Sequence, residues 1–152
     1  MNESRAKVTV NGGQLETRWL APTLPKQSTI VMLHEGLGSV ALWKNFPQDL
    51  ARRTGFGVLA YSRRGNGHSD GLNEKRNVEY MHHEAEVVLP LLLKELGIQH
   101  PILLGHSDGG SIALIYAGKY PQSPCAWSWR RRTYSSKSCR SRASQRSEAF
   151  TN

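Results

Sequence analysis

Three short apolar runs constrain this chain of 152 residues more than any other feature: 29–34 (TIVMLH), 57–62 (GVLAYS) and 100–105 (HPILLG). None alternates apolar with polar residues: the first reads as a strand buried on both faces, the second as another buried strand and the third as a strand. Each run stops at a loop rich in glycine and polar side chains. These loops are His34-Glu35-Gly36-Leu37-Gly38, Arg63-Arg64-Gly65-Asn66-Gly67-His68-Ser69-Asp70 and Gly105-His106-Ser107-Asp108-Gly109. Helix-length segments separate the runs. Residues 39–53 place Leu42, Trp43, Phe46 and Leu50 at helical spacing, with a kink expected at Pro47 and a stop at Gly55. Residues 77–96 read as a long amphipathic helix, interrupted by Pro90 and closed by Gly97, and 109–120 as a second helix. Residues 7–10 and 15–20 add a short antiparallel pair around Asn11-Gly12-Gly13. Alternation of this kind implies right-handed crossovers and a mainly parallel sheet with helices on both faces. The expected fold class is α/β.

In such sheets, chemistry gathers at the carboxyl ends of the strands, so the three loops are expected on one edge. The third loop fits G-x-S-x-G, a turn that lifts a serine clear of the sheet on a strained backbone. Side chains two positions either side of Ser107 would collide there, which explains Gly105 and Gly109. The Asp108 amide would open the next helix and point where an oxyanion could use it. The plainer reading is a strand-to-helix turn with Ser107 as its N-cap.

The motifs VMLHEGLGS, YSRRGNGHSD and LLGHSDGG, in this order and at this spacing, resemble the α/β-hydrolase fold superfamily. The nearest branch is that of small cytosolic bacterial ester, lactone and C–C hydrolases, and the resemblance spans residues 6–121. It implies that Ser107 is a nucleophile acting on a small-molecule ester, lactone or similar carbonyl bond, with no cofactor. It implies an oxyanion hole from the Asp108 amide plus one amide of the loop after His34. The family usually has His-Gly there, whereas this chain has His34-Glu35-Gly36, so Gly36 is the first candidate and Leu37 the second. Arg64, Gly65, Gly67 and Ser69 match the family's R-G-x-G-x-S turn, which is structural.

In this fold the triad acid and histidine follow the serine along the chain. All six histidines (His34, His68, His82, His83, His100 and His106) precede Ser107, and the only later acids are Asp108 and Glu148. His106 should point down its strand. An upstream histidine on the same sheet edge, His34 or His68, is the remaining alternative, because triads are defined by geometry. Without a base a serine hydroxyl is a weak nucleophile. The chain is therefore expected to be truncated after the helix that follows Ser107, and inactive.

Composition changes abruptly near Pro121: residues 1–121 carry +2 of the net +8 charge, and residues 122–152 carry +6. Residues 125–146 show neither a helical nor a strand period. A one-base change of frame near Pro124, read with permitted codons, is compatible with V-R-L-V-L-E-A-A-H-V-F-V-E-E-L, an apolar strand and a polar turn. The natural frame would resume near Arg146. The chain is thus divided into 1–121, part of a hydrolase domain, and 122–152, a basic Arg/Ser-rich tail that is disordered or a product of that frame change. A genuine tail would favour nucleic-acid or acidic-partner binding through 130–146. Few aromatics beyond Trp127, Trp129 and Tyr134 are interleaved there, so nucleic acid is the weaker reading. An end after the 109–120 helix would leave strand 102–104 with a bare edge, predicting self-association.

Other classes find little support. No run approaches the roughly 18–20 apolar residues of a membrane span. The polar N-terminus lacks a secretory apolar region, and Cys125 and Cys139 make neither a disulfide framework nor a zinc pattern, so a cytoplasmic location is expected. Gly65-Asn66-Gly67 is not a dinucleotide fingerprint, and no phosphate-binding loop occurs. His82-His83 lacks the i+4 partner a metal would need and reads as solvent-facing. Glu35 reads as one half of a surface ion pair.

Overall fold

The computed structural model describes residues 2–23, 28–72 and 75–122, together with the backbone of 126–129. Among the described residues six strands form one sheet: β1 (Glu3–Val10), β2 (Gly13–Leu20), β3 (Thr29–Leu33), β4 (Gly57–Tyr61), β5 (Pro101–His106) and β6 (Ala126–Trp129). Their order is β1-β2-β4-β3-β5-β6. β4, β3, β5 and β6 run parallel, and the β1–β2 hairpin joins β4 antiparallel at one edge. The hairpin closes in two residues, Val10 facing Gly13. Asn11 (φ 48°) and Gly12 (φ 73°) supply the two left-handed conformations that such a turn needs.

Every residue of β3 and β4 is buried, as their unbroken apolar sequences require. Side-chain alternation sends Val31, Leu33, Leu59 and Tyr61 to one core and Ile30, Met32, Val58 and Ala60 to the other. The first core is closed by Leu89, Leu92, Ile112 and Ala113 of two helices, and the second by Val40 and Ala51. The architecture is α/β with helices on both faces of a mainly parallel sheet.

Residues 39–53 do not form one kinked helix. A 3-10 turn (Val40–Trp43) ends at Lys44 in a left-handed conformation (φ 47°), and α1 (Phe46–Thr54) starts afresh with Pro47 in its first turn. A proline there lacks only an N–H that would have no partner in any case. Gly55 (φ 72°) caps the end. The 77–96 segment begins later than its periodicity predicts: α2 (Tyr80–His83), a π turn (Glu84–Val88) and α3 (Leu89–Glu95) follow one another. Pro90 has no N–H to give and crowds the preceding turn, which accounts for the wider hydrogen-bond spacing just before it. The π turn buries Glu84, Ala85 and Val88. A further helix, α4, runs from Asp108 to Lys119.

The bare edge expected for β5 is not observed. β6 pairs along it, with Leu103 opposite Ala126 and His106 opposite Trp129, and lies beyond the boundary expected at residue 121. A parallel edge needs only extended backbone to meet its N–H and C=O groups, so no side-chain period announced this strand. Residues 130–152 lie outside the described residues, and with them the basic-tail reading and most of the frame-change reading. Among the described residues, no helix is long and apolar enough to cross a membrane.

Candidate active site

β3, β4 and β5 end in register, Leu33 lying opposite both Tyr61 and Gly105, so the three glycine-rich loops leave the sheet side by side. Ser107 sits between β5 and α4 at φ 52°, ψ −117°. A side chain in that region costs about 1–3 kcal/mol. Ser107 occupies the N-cap position of α4, but its hydroxyl makes no capping hydrogen bond and its backbone is not extended as an N-cap residue's usually is. Its carbonyl accepts the first helical bonds, from Gly110 N–H (2.8 Å) and Ser111 N–H (3.2 Å).

The flanking glycines are required by contact. A Cβ on Gly105 would overlap the backbone of Gly109 and Gly110, and one on Gly109 would overlap the carbonyls of Leu33 and His34. The turn thus packs backbone-to-backbone on the end of β3. His106 points away, into an apolar groove of about 360 Å³ lined by Leu42, Trp43, Phe46 and Leu104.

Gly36 meets Asp108 across the gap between the loops: a Cβ there would stand 2.7 Å from Asp108 Oδ2. The same oxygen accepts a short hydrogen bond from the Tyr80 hydroxyl. Burial, then the Asp108 bond, push the Tyr80 hydroxyl above its ordinary pKa. Arg76 lies 5.3 Å from the centre of the Tyr80 ring and donates to Asn66 Oδ1 (2.6 Å) and the Arg64 carbonyl (3.0 Å). Leu37 is 89 % exposed.

The loop after β3 is held from behind. Arg63, 1 % exposed, donates from Nη1 to the His34 carbonyl (2.7 Å) and from Nη2 to the Glu35 carbonyl (2.8 Å). Its own N–H donates to His34 Nε2 (3.0 Å). Nε2 is therefore the unprotonated nitrogen, and Nδ1 donates to the Glu35 carbonyl (2.6 Å). Burial, and then the Arg63 charge, bring the His34 pKa down to about 4. With both ring nitrogens engaged, His34 is not available as the base for Ser107. His68 is exposed, its amide bound to Glu16 Oε2 (3.0 Å).

Arg64, Gly65, Gly67 and Ser69 form a structural turn. Gly65 and Gly67 are left-handed, and Ser69 Oγ donates to the Ser62 carbonyl (2.6 Å) and accepts from Glu16 N–H (2.8 Å). The Arg64 side chain covers Gly13, leaving no room for a Cβ there. Glu35 departs from expectation: its carboxylate has no ion-pair partner among the described residues, and its carbonyl is the group in use. His82 and His83 are exposed, on the rim of a groove of about 600 Å³ shared with Arg64, Arg76, Tyr80 and Glu84. No cluster of three or more metal-ligating side chains forms among the described residues. Sequence reading missed Arg63, Arg76 and Tyr80. Arg63 carried a signal, since it shares the odd-numbered face of Leu59 and Tyr61 and so had to enter the core.

A family model for the alpha/beta hydrolase fold matches residues 28–126. The human protein "Serine hydrolase BPHL" is 35% identical over 121 residues, covering 76% of this chain and 38% of that protein. A "Bifunctional esterase/perhydrolase DCH" of Acinetobacter calcoaceticus is 26% identical over 108 residues, 67% of this chain and 36% of its own length. Among solved structures, a predicted CIB-like hydrolase from Thermoplasma acidophilum superposes with a TM-score of 0.69 at 23% identity, covering 84% of this chain and 65% of the other. The chain spans little more than a third of the length of these two curated relatives. The match over 28–126 takes in β3, β4, β5 and the Ser107 turn together, and the chain belongs to the alpha/beta hydrolase fold family.

Proposed function

We propose that Ser107 is the nucleophile of a serine hydrolase acting on an ester, lactone or similar carbonyl bond of a small molecule. The carrying observation is its strained backbone at φ 52° with a hydroxyl that caps nothing, on a turn whose glycines admit no side chain. Strain persists at a site when the surrounding structure enforces it, and such sites are often functional. The esterase and serine-hydrolase relatives support the same reading.

In this mechanism Ser107 Oγ bonds to the carbonyl carbon while its proton passes to a base. The oxyanion rests on the amides of Asp108 and Gly36, with Leu37 as the second candidate donor, each worth about 10²–10³ in rate. Collapse expels the alcohol, and water then releases the acid from Ser107. The base is the missing part: every histidine of these 152 residues precedes Ser107, and His34 is fully engaged. The chain alone is therefore expected to acylate slowly and to turn over little. A nucleotide sequence that opens a frame with a distal acid and histidine past codon 124 would supply the missing groups.

A fluorophosphonate probe on the full chain tests the nucleophile. Covalent labelling that disappears in Ser107→Ala supports it; labelling that survives the substitution, or no reaction with the native chain, overturns it. The outer edge of β6 has no strand partner among the described residues, so we also expect self-association there. Sedimentation showing a monomer at every concentration would remove that part.

A further inference from the structure

We propose that Arg63 is a positioning residue that aims the Gly36 amide at the oxyanion, by gripping the opposite end of the same peptide group. The inference rests on the reading of Ser107 as nucleophile and adds what selects and strengthens its second donor.

A peptide group is planar and trans, so its C=O and N–H point in opposite directions. The Glu35 carbonyl and the Gly36 N–H belong to one such group. That carbonyl accepts from Arg63 Nη2 (2.8 Å), His34 Nδ1 (2.6 Å) and Gly38 N–H (3.0 Å). Three donors behind the carbonyl fix the plane, and the Gly36 N–H must point away from Arg63. Among the described residues, the next group, the Gly36 carbonyl with the Leu37 N–H, is reached only by Asn66 Nδ2 and Arg76 Nη1, both at 3.5 Å. Gly36, not Leu37, is thus the donor whose direction the structure sets. Arg63 anchors the preceding group as well, through the His34 carbonyl (2.7 Å), and fixes the His34 ring through its own N–H (3.0 Å).

The charge of Arg63 also acts on its buried neighbours, lowering the His34 pKa and opposing the burial-driven rise at Glu84, but it is paired with neither. Its guanidinium forms no ion pair among the described residues, and its Nε has no hydrogen-bond partner. The nearby buried acid, Glu84, leaves Oε2 unpartnered too, and burial favours its neutral form. A buried cation without a carboxylate is costly unless its hydrogen bonds repay desolvation. Here the charge stands at the carbonyl end of the Glu35–Gly36 peptide. It polarises that group and makes the N–H at the other end a stronger donor.

The test compares the full-length chain with Arg63→Met and Arg63→Lys. It reads the phosphonylation rate and half-saturating concentration with a fluorophosphonate, and the amide resonances of Gly36 and Leu37. In Arg63→Met we expect labelling to slow about 10²-fold, the scale of one oxyanion donor, with half-saturation unchanged and the Gly36 resonance displaced more than that of Leu37. Arg63→Lys should recover at most about tenfold, because an ammonium does not match a guanidinium fork. If Arg63→Met fails to fold, Arg63→Lys alone decides: a loss of rate with a displaced Gly36 amide supports the proposal. Labelling within about threefold of the native rate, or a weakened half-saturation with unchanged limiting rate, overturns it. If the native chain is never labelled, the nucleophile reading fails. The amide resonances then decide separately, and an unmoved Gly36 in both variants overturns the role of Arg63.

Discussion

The turn around Ser107 and the loop after β3 lie side by side and are stabilised by opposite means. The turn is shaped by the absence of side chains: Gly105 and Gly109 let backbone pack on backbone, and any Cβ there overlaps a carbonyl or an amide. The loop is shaped by a side chain, the buried Arg63, which holds the carbonyls of His34 and Glu35. Steric construction is indifferent to pH and salt and tolerates no substitution. Construction by charge and hydrogen bonds tolerates conservative changes but inherits the titration of its neighbours.

Breaking the steric half should have the largest effect. Gly109→Ala drives a methyl into the carbonyls of Leu33 and His34, and backbone cannot step aside as a flexible side chain can. A loss of about 3 kcal/mol or more is expected, read as a fall in the denaturant midpoint that is the same at pH 5 and pH 8. A strongly pH-dependent loss would erase the contrast.

Acid should break the other half. His34 is neutral in the folded chain, with its pKa lowered from 6.5 to about 4. The folded state binds fewer protons than the unfolded one, so His34 contributes stability above pH 6.5 that is lost as pH falls toward 4. The full difference is about 3 kcal/mol. A stability profile flat through that window, or unchanged in His34→Gln, would contradict it.

Smaller changes sharpen the comparison. Burial raises the Glu84 carboxyl above its ordinary pKa, so ionisation opposes folding once pH exceeds the unfolded value, and stability is lost as pH rises through the folded value. Glu84→Gln should therefore stabilise the chain at neutral pH, read as a rise in Tm, with the gain gone at low pH. A gain that persists in acid would point to packing instead. Ser107→Gly tests the strain within the turn. Relief of about 1–2 kcal/mol is partly offset by glycine's entropy, leaving a net gain of about 0.5 kcal/mol. A net loss would mean that the hydroxyl was bonded after all.

The same contrast decides what the sequence could disclose. Gly105-His106-Ser107-Asp108-Gly109 is legible because sterics act over two residues and leave a spacing. The runs at 29–34, 57–62 and 100–105 were legible because each holds an unbroken apolar stretch, buried on both faces in β3 and β4 and half-buried on one face of β5. The alternation after β4 pointed Arg63 inward, but its partners were not legible, since they lie 28 and 29 positions away. Tyr80 and Asp108 are likewise 28 apart. β6 was illegible for another reason: edge pairing draws on backbone alone, and a segment with no period can satisfy it. The break at Lys44 and the π turn before Pro90 both lie where proline left two geometries open, and packing chose between them.

The hydrogen bonds that hold the loop after β3 go to its carbonyls and do not draw on the side chains of Glu35 and Leu37. Glu35 carries a carboxylate with no ion-pair partner among the described residues, and Leu37 projects into solvent. Substitution at these two positions should therefore change the charge or apolarity of the loop while the contacts to its carbonyls persist. A loop built in this way is evolvable: what it greets can drift while what it does stays put.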